Sequence, residues 1–161
     1  MKAVVVYDTA FGNTEKIALA IGKALEERAA VNVVKAGNAQ PEDLTTADLL
    51  IVGSPTQKFR PLPSVTALLQ KIAPNALKNV RVAAFDTRIS PEEVARVVIL
   101  AFFVKLFGYA AEFIGKQLTK KGAELLTSPQ GFYVQGTQGP LLEGELERAA
   151  AWAKQIAEGL E

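Results

Sequence analysis

The feature that most narrows the folds open to this chain is a series of short, mostly apolar runs along its whole length, interrupted only by Asn32 and Arg81. They fall at residues 3–7 (Ala3, Val4, Val5, Val6, Tyr7), 31–34, 49–52 and 80–85. None shows the clean two-residue alternation of a strand with one wet face. Short, valine-rich runs of this kind belong to strands buried on both faces, as in a parallel sheet covered by helices. Segments with helical spacing separate them. Residues 15–28 put Ile17, Ala18, Ile21, Ala24 and Leu25 on one stripe. Pro41-Glu42-Asp43 opens a short helix with proline at its first position. Residues 63–72 carry Val65, Leu68, Leu69 and Ile72. Ser90-Pro91-Glu92-Glu93 is a strong helix start, with a serine cap, a proline at the first position and a glutamate three residues after the cap. A last helix spans residues 142–160, with Leu146, Ala149, Ala150, Ala153 and Ile156 facing inward. The fifth strand is split, at 123–126 and 132–134, by Ser128-Pro129-Gln130-Gly131. Alternation of strand and helix from end to end predicts a single doubly wound α/β domain over residues 1–161.

Composition excludes several kinds of chemistry. There is no cysteine and no histidine, so thiol chemistry, histidine triads and Cys or His metal sites are ruled out. A net charge of +1, without a basic cluster among aromatics, argues against a nucleic-acid partner. Glu and Asp are scattered and form no dedicated acid–base pair, so no residue of the chain is assigned a catalytic role. Any redox chemistry must then come from a bound cofactor. The first apolar run stops at Asp8, the length of a strand, so no signal peptide is read there and a cytoplasmic location is expected.

The junction after the first run is the main candidate site. Thr9, Ala10, Phe11, Gly12, Asn13 and Thr14 connect a buried strand to a helix without a breaker. The first helical N–H groups lack intrahelical partners, and the helix dipole adds partial positive charge, so such a junction binds phosphate. Thr9, Asn13 and Thr14 offer side-chain donors, and Gly12 allows close backbone approach. The run lacks the Gly-Lys-Ser/Thr end of the Walker loop and the three glycines of the dinucleotide fingerprint. With no Lys or Arg, it suits a singly esterified phosphate held by neutral donors. The same residues also suit an ordinary strand-to-helix turn capped by Thr14 or Asn13.

Thr9-Ala10-Phe11-Gly12-Asn13-Thr14-Glu15 resembles the phosphate loop of flavodoxins, a hydroxyl-rich run ending Thr-Gly-Asn-Thr-Glu, although Ala10 and Phe11 replace two loop hydroxyls. Gly53-Ser54-Pro55-Thr56 after the third strand, Asp86-Thr87-Arg88 after the fourth, and Gly139-Pro140-Leu141-Leu142-Glu143-Gly144-Glu145-Leu146 before the last helix extend the resemblance over nearly the whole chain. It implies a flavodoxin-like, five-stranded parallel sheet in the order 2-1-3-4-5 with helices on both faces, and a ligand at the switch between strands one and three. It also implies FMN as cofactor, its phosphate on the 9–14 loop and its ring beside Ser54, Pro55, Thr56, Gln57 and Phe59. Phe59 is expected either to stack on the ring or to pack on the protein. Asp86, Thr87 and Arg88 are expected to offer backbone N–H groups to the ring's pyrimidine edge. Lys58 and Arg60 stand where many flavodoxins carry acids, and cations near the ring would raise the reduction potential. The implied function is electron transfer to a redox partner protein or small-molecule acceptor. An NAD(P)H:quinone-type reductase and a flavin-free interaction module are the alternatives.

One segment stands apart. Val97-Val98-Ile99-Leu100-Ala101-Phe102-Phe103-Val104 is wholly apolar. It predicts an inserted helix over about 91–106, breaking near Phe107-Gly108 before the usual fourth helix. It is too short and too charged at its ends to span a bilayer. A homo-oligomer built on this helix, a lid over the flavin and peripheral membrane contact are the three expectations, the first preferred.

Overall fold

The computed structural model describes residues 1–160. Strands β1 (Lys2–Tyr7), β2 (Ala30–Lys35), β3 (Leu49–Pro55), β4 (Arg81–Ile89), β5 (Glu124–Leu125) and β6 (Gln130–Val134) form one parallel sheet. Its order is β2-β1-β3-β4-β5, with β6 also on β4. β5 pairs with the start of β4 (Arg81↔Glu124) and β6 with its end (Phe85↔Gln130 to Ile89↔Val134), so the two are halves of one interrupted edge strand. The doubly wound 2-1-3-4-5 sheet is therefore present.

The helices are α1 (Asn13–Leu25), α2 (Pro41–Thr45), α3 (Pro63–Lys71), α4 (Pro91–Ala95), α5 (Val98–Phe107), α6 (Ala110–Lys120) and α7 (Glu145–Glu158). They cover both faces of the sheet. Ala3, Val5, Leu49, Ile51, Ala83 and Phe85 pack with Ile17 and Ile21 of α1 and Trp152 and Ile156 of α7. The alternate residues Val4, Val6, Leu50, Val52, Val82 and Ala84 pack with Leu68 of α3 and Ile114 and Leu118 of α6. Burial on both sides removes any reason for polar residues to alternate, hence the mostly apolar runs. Leu146 departs from expectation: it is 41% exposed, because α7 starts only at Glu145 and turns the Ala149–Trp152–Ile156 face inward.

Two boundaries differ from the sequence reading. Asp86, Thr87 and Arg88 lie within β4 rather than in a loop after it, because β6 supplies a ladder that carries the strand on to Ile89. Residues 91–106 form two helices rather than one. Ser90 caps α4 through its Oγ, which accepts from the Glu93 N–H, and an extended Val97 (φ −118°, ψ 100°) separates α4 from α5. Gly108 (φ 74°, ψ −153°) then breaks the chain before α6. The run Val98–Lys120 is long and apolar enough to cross a membrane by length and composition, with 22% of its most apolar stretch buried. The break at Gly108 divides it. Its second half docks on the sheet through Ala110, Ala111, Ile114, Gly115 and Leu118.

Candidate functional site

The carboxyl ends of β1, β3, β4 and β6 open toward the same edge, and a cavity of about 400 Å³ lies there. Cavities of roughly 300–1,000 Å³ hold cofactors and drug-sized ligands. Thr9, Ala10, Phe11, Asn13 and Thr14 line one part of it. Pro55, Thr56, Gln57, Lys58 and Phe59 follow from the end of β3, and Thr87, Arg88 and Ile89 from the end of β4. Val94 of α4, Leu100 and Val104 of α5, Tyr109, Val134, Gly136 and Thr137 complete the wall.

The 9–14 loop presents donors rather than capping itself. Gly12 takes the N-cap position of α1 in a left-handed conformation (φ 91°), and no side chain caps the helix. The capping alternative for Thr14 and Asn13 is thereby overturned: both stand inside the helix. The Thr9 hydroxyl accepts from the Gly12 N–H (2.9 Å), and Lys16 N–H makes the first helical bond, to Gly12 O (3.2 Å). Among the described residues no acceptor is bonded to the N–H groups of Ala10, Phe11, Asn13, Thr14 or Glu15. That is a cluster of oriented donors at the positive end of a helix dipole.

The loop's side chains are fixed from several directions. Thr14 Oγ1 and Thr87 Oγ1 lie 2.7 Å apart, both buried, which ties α1 to β4. Asn13 Nδ2 donates to Gln138 O (2.9 Å), holding the 136–139 segment against the loop. Gly139 (φ 92°) runs so close to the Asn13 amide that a β-carbon there would collide with it. Asp8 accepts from the Ser64 hydroxyl, and Tyr7 donates to Glu15 Oε2 (2.7 Å). Burial, reinforced by Glu15, pushes the Tyr7 phenol up to about 12, so it stays protonated and keeps its hydrogen bond to Glu15 near neutrality.

Three sequence-selected residues stand behind the wall rather than in it. Gly12 supplies the left-handed turn. Ser54 is buried; its Oγ accepts from Leu62 N–H (2.8 Å) and donates to Pro55 O (2.9 Å), which shapes the exit of β3. Asp86 is buried and accepts from Arg88 Nε (2.6 Å), Arg88 Nη2 (2.7 Å) and Ala111 N–H (2.9 Å). Burial alone disfavours the Arg88 cation, and the paired Asp86 carboxylate more than offsets it, so the guanidinium stays charged. Its face lies 3.6 Å from the Tyr109 ring centroid, a stacked cation–π contact.

Phe59 both reaches the cavity and packs on the protein, its ring 5.6 Å from Phe107 and 6.2 Å from Phe103. It sits in a tight turn closed by reciprocal Gln57–Arg60 backbone bonds of 2.9 and 3.0 Å. Lys58 (φ 49°) and Phe59 (φ 66°) are both left-handed there, a conformation that costs non-glycine residues. Lys58 lines the cavity, whereas Arg60 lies on a neighbouring groove, 5.9 Å from the Phe113 ring centroid.

Sequence reasoning passed over Ile89, Val94, Tyr109, Val134, Gly136 and Thr137. Tyr109 follows a glycine break and meets Arg88 only through the fold, so no local spacing marks it. Leu100 and Val104 do carry a signal, at i and i+4 inside the apolar run, which is one helical face.

A 2-1-3-4-5 parallel sheet with uncapped helix donors at its switch point and a cavity beside them defines a doubly wound α/β protein of the flavodoxin-like fold. The flavodoxin family model matches residues 5–152, and the chain belongs to the flavodoxin family. No curated protein matches it in sequence. Among solved structures, flavodoxin 2 of Bacillus cereus aligns over 98% of this chain and 99% of its own, at 23% identity and TM-score 0.76. A flavodoxin from the domain Archaea aligns over 98% and 97%, at 22% identity and TM-score 0.74. Rubredoxin oxygen:oxidoreductase from Desulfovibrio gigas aligns over 99% of this chain, at 24% identity and TM-score 0.68, and the chain spans 36% of that longer protein. These likenesses are of fold.

Proposed function

We propose that the protein binds FMN non-covalently and carries electrons between redox partners. The observation that supports this best is the set of unpartnered N–H groups of Ala10, Phe11, Asn13 and Thr14, beside a cavity whose other walls are largely apolar. The loop donors, with the Thr14 and Thr87 hydroxyls, would hold the phosphate. Phe59, Tyr109, Leu100 and Val104 would exclude water from the ring, and Lys58 would place a cation at the cavity wall. FMN, when bound, supplies the electron chemistry that the chain's own side chains lack.

Carrier is preferred to nicotinamide-dependent reductase because the cavity, about 400 Å³ and closed on one side by Leu100 and Val104 of α5, is at the small end of the range for a cofactor and leaves little room for a second ring. The fold family favours a protein in solution, and a cytoplasmic one remains the reading. A net charge of +1 gives the chain no overall negative charge with which to attract a basic partner. The test is binding to the reconstituted chain, followed by visible absorbance and flavin fluorescence. FMN should bind at least about tenfold tighter than riboflavin. Thr14→Ala should weaken FMN by about 5–10-fold, one hydrogen bond's worth, and leave riboflavin unchanged. Equal affinity for the two flavins would remove the phosphate assignment. Rapid reduction by NAD(P)H alone would replace carrier by reductase.

A further inference from the structure

Helix α5 is apolar at nine of its ten positions and buries none of them. Val98 is 83% exposed, Ile99 65%, Phe102 59%, Leu106 62% and Phe107 59%. With Val97 and Phe103 they present on the order of 700 Å² of apolar surface, more than the largest patch of a typical monomer and close to one partner's share of a standard interface. An α-helix apolar on all sides is normally buried on all sides. Within the chain, Leu100 and Val104 face the cavity and Phe59 covers part of Phe103 and Phe107, and the rest is open.

We propose that a second copy of this chain covers the outer side of α5, and that the dimer holds α5 down as the lid of the cavity. The outer residues form two i, i+4 ridges, Val98-Phe102-Leu106 and Ile99-Phe103-Phe107. Identical ridges related by a two-fold axis interlock, which makes the surface self-complementary. Its area suits a dimer. The charges around it, Glu92 and Glu112 with Arg96, Lys105, Arg60, Lys58 and Lys116, are of both signs but mostly basic, so the choice of a second copy over a lipid surface rests on the area and the paired ridges. Within its own chain α5 is weakly anchored. It packs mainly on α4, with Phe59 against Phe103 and Phe107, between the Val97 and Gly108 breaks. A partner on the outer face would therefore fix the inner face, and dimerisation and ligand retention would be linked.

The oligomer arm of the test does not depend on the flavin reading. Light scattering and sedimentation of the flavin-free full chain, without detergent, should give twice the chain mass. Phe102→Glu with Leu106→Glu should give a monomer that keeps its far-UV dichroism and cooperative melting; if that pair fails to fold, Phe102→Glu alone serves. A monomeric wild type, or a dimer indifferent to these changes, overturns the proposal. So does a monomer that sediments with phosphatidylglycerol–phosphatidylcholine vesicles, which would make the partner a membrane. The lid arm rests on FMN binding: FMN release should be about fivefold or more faster from the monomeric variant. An unchanged rate from a proven monomer overturns the lid. Failure to bind FMN at all would count against the proposed function and leave the dimer result standing.

Discussion

Arg88 is the residue on which the rim of the cavity most depends. It neutralises buried Asp86 through two hydrogen bonds, stacks on Tyr109 and fills the space over Gly131, where a β-carbon would strike its guanidinium. Arg88→Ala leaves a buried carboxylate without its cation and should cost about 3–5 kcal/mol in urea unfolding. Adding Asp86→Asn should recover part of that loss, because no charge is then left unpaired. If the double variant is no more stable than the single, Asp86 is not strained by losing its partner. Lys58 acts differently, as an exposed cation on the cavity wall. Lys58→Glu should lower the potential of bound flavin by some tens of millivolts, since an exposed charge interaction is worth about 1 kcal/mol or less and a tenfold change for one electron is about 59 mV. Spectroscopic titration against a reference dye reads it, and the shift should shrink in high salt. The donor character of the 9–14 loop was legible in the residues themselves, since small and hydroxyl side chains between a strand and a helix leave N–H groups free. The role of Asp86 was not. Read as loop, residues 86–88 suggest backbone donors. Placed in a strand, Asp86 and Arg88 fall two apart on one face, and their pairing follows.

At the scale of elements, the cavity depends on how the last strand and helix are joined. Glu145, buried in the first turn of α7, accepts from Tyr133 N–H of β6 (2.6 Å) and pairs with Arg148 (2.6 Å). Arg148 Nη2 also donates to Gly131 O (2.5 Å) and lies over the Phe132 ring, 4.6 Å from its centroid. Burial works against the Glu145 carboxylate, but Arg148 and the Tyr133 N–H outweigh it and hold its pKa below the ordinary carboxylate range. A folded pKa below the unfolded one adds stability above the unfolded value, about 4.5, which is lost as pH falls from there through the lower folded value. Glu145→Gln should therefore cost about 1–2 kcal/mol at pH 7, and the gap to wild type should close on acidification below about pH 4.5. Urea midpoints at several pH values measure it; a gap independent of pH would mean that the carboxylate's charge contributes nothing. The split edge strand was legible from Pro129, which stands between β5 and β6, whereas Gln130 and Gly131, read as part of the gap, pair with Phe85 and Asp86 in β6. The separation of α4 from α5 was not, because the extended Val97 sits inside an unbroken apolar run where no Gly or Pro marks the turn.

For the whole molecule, ligand binding and folding are one equilibrium. The walls of the cavity come from the ends of β1, β3, β4 and β6 and from α4 and α5, so unfolding any part of that edge dissolves the site. A ligand that binds only the folded chain stabilises it by RT ln(1 + [L]/Kd), about 2.7 kcal/mol at a hundredfold excess over Kd. For a chain of this length each kcal/mol moves the melting temperature by roughly 2–4 °C, so saturating FMN should raise it by about 5–11 °C. Riboflavin at the same concentration should raise it less, because its affinity lacks the loop's share. Thr14→Ala should bring the FMN shift toward the riboflavin value without changing the riboflavin shift. Differential scanning fluorimetry, or circular dichroism where flavin emission interferes, makes the comparison. An FMN shift no larger than that of riboflavin would mean that the unpartnered N–H groups of the 9–14 loop do not hold a phosphate, and the loop would then be a strand-to-helix connection alone.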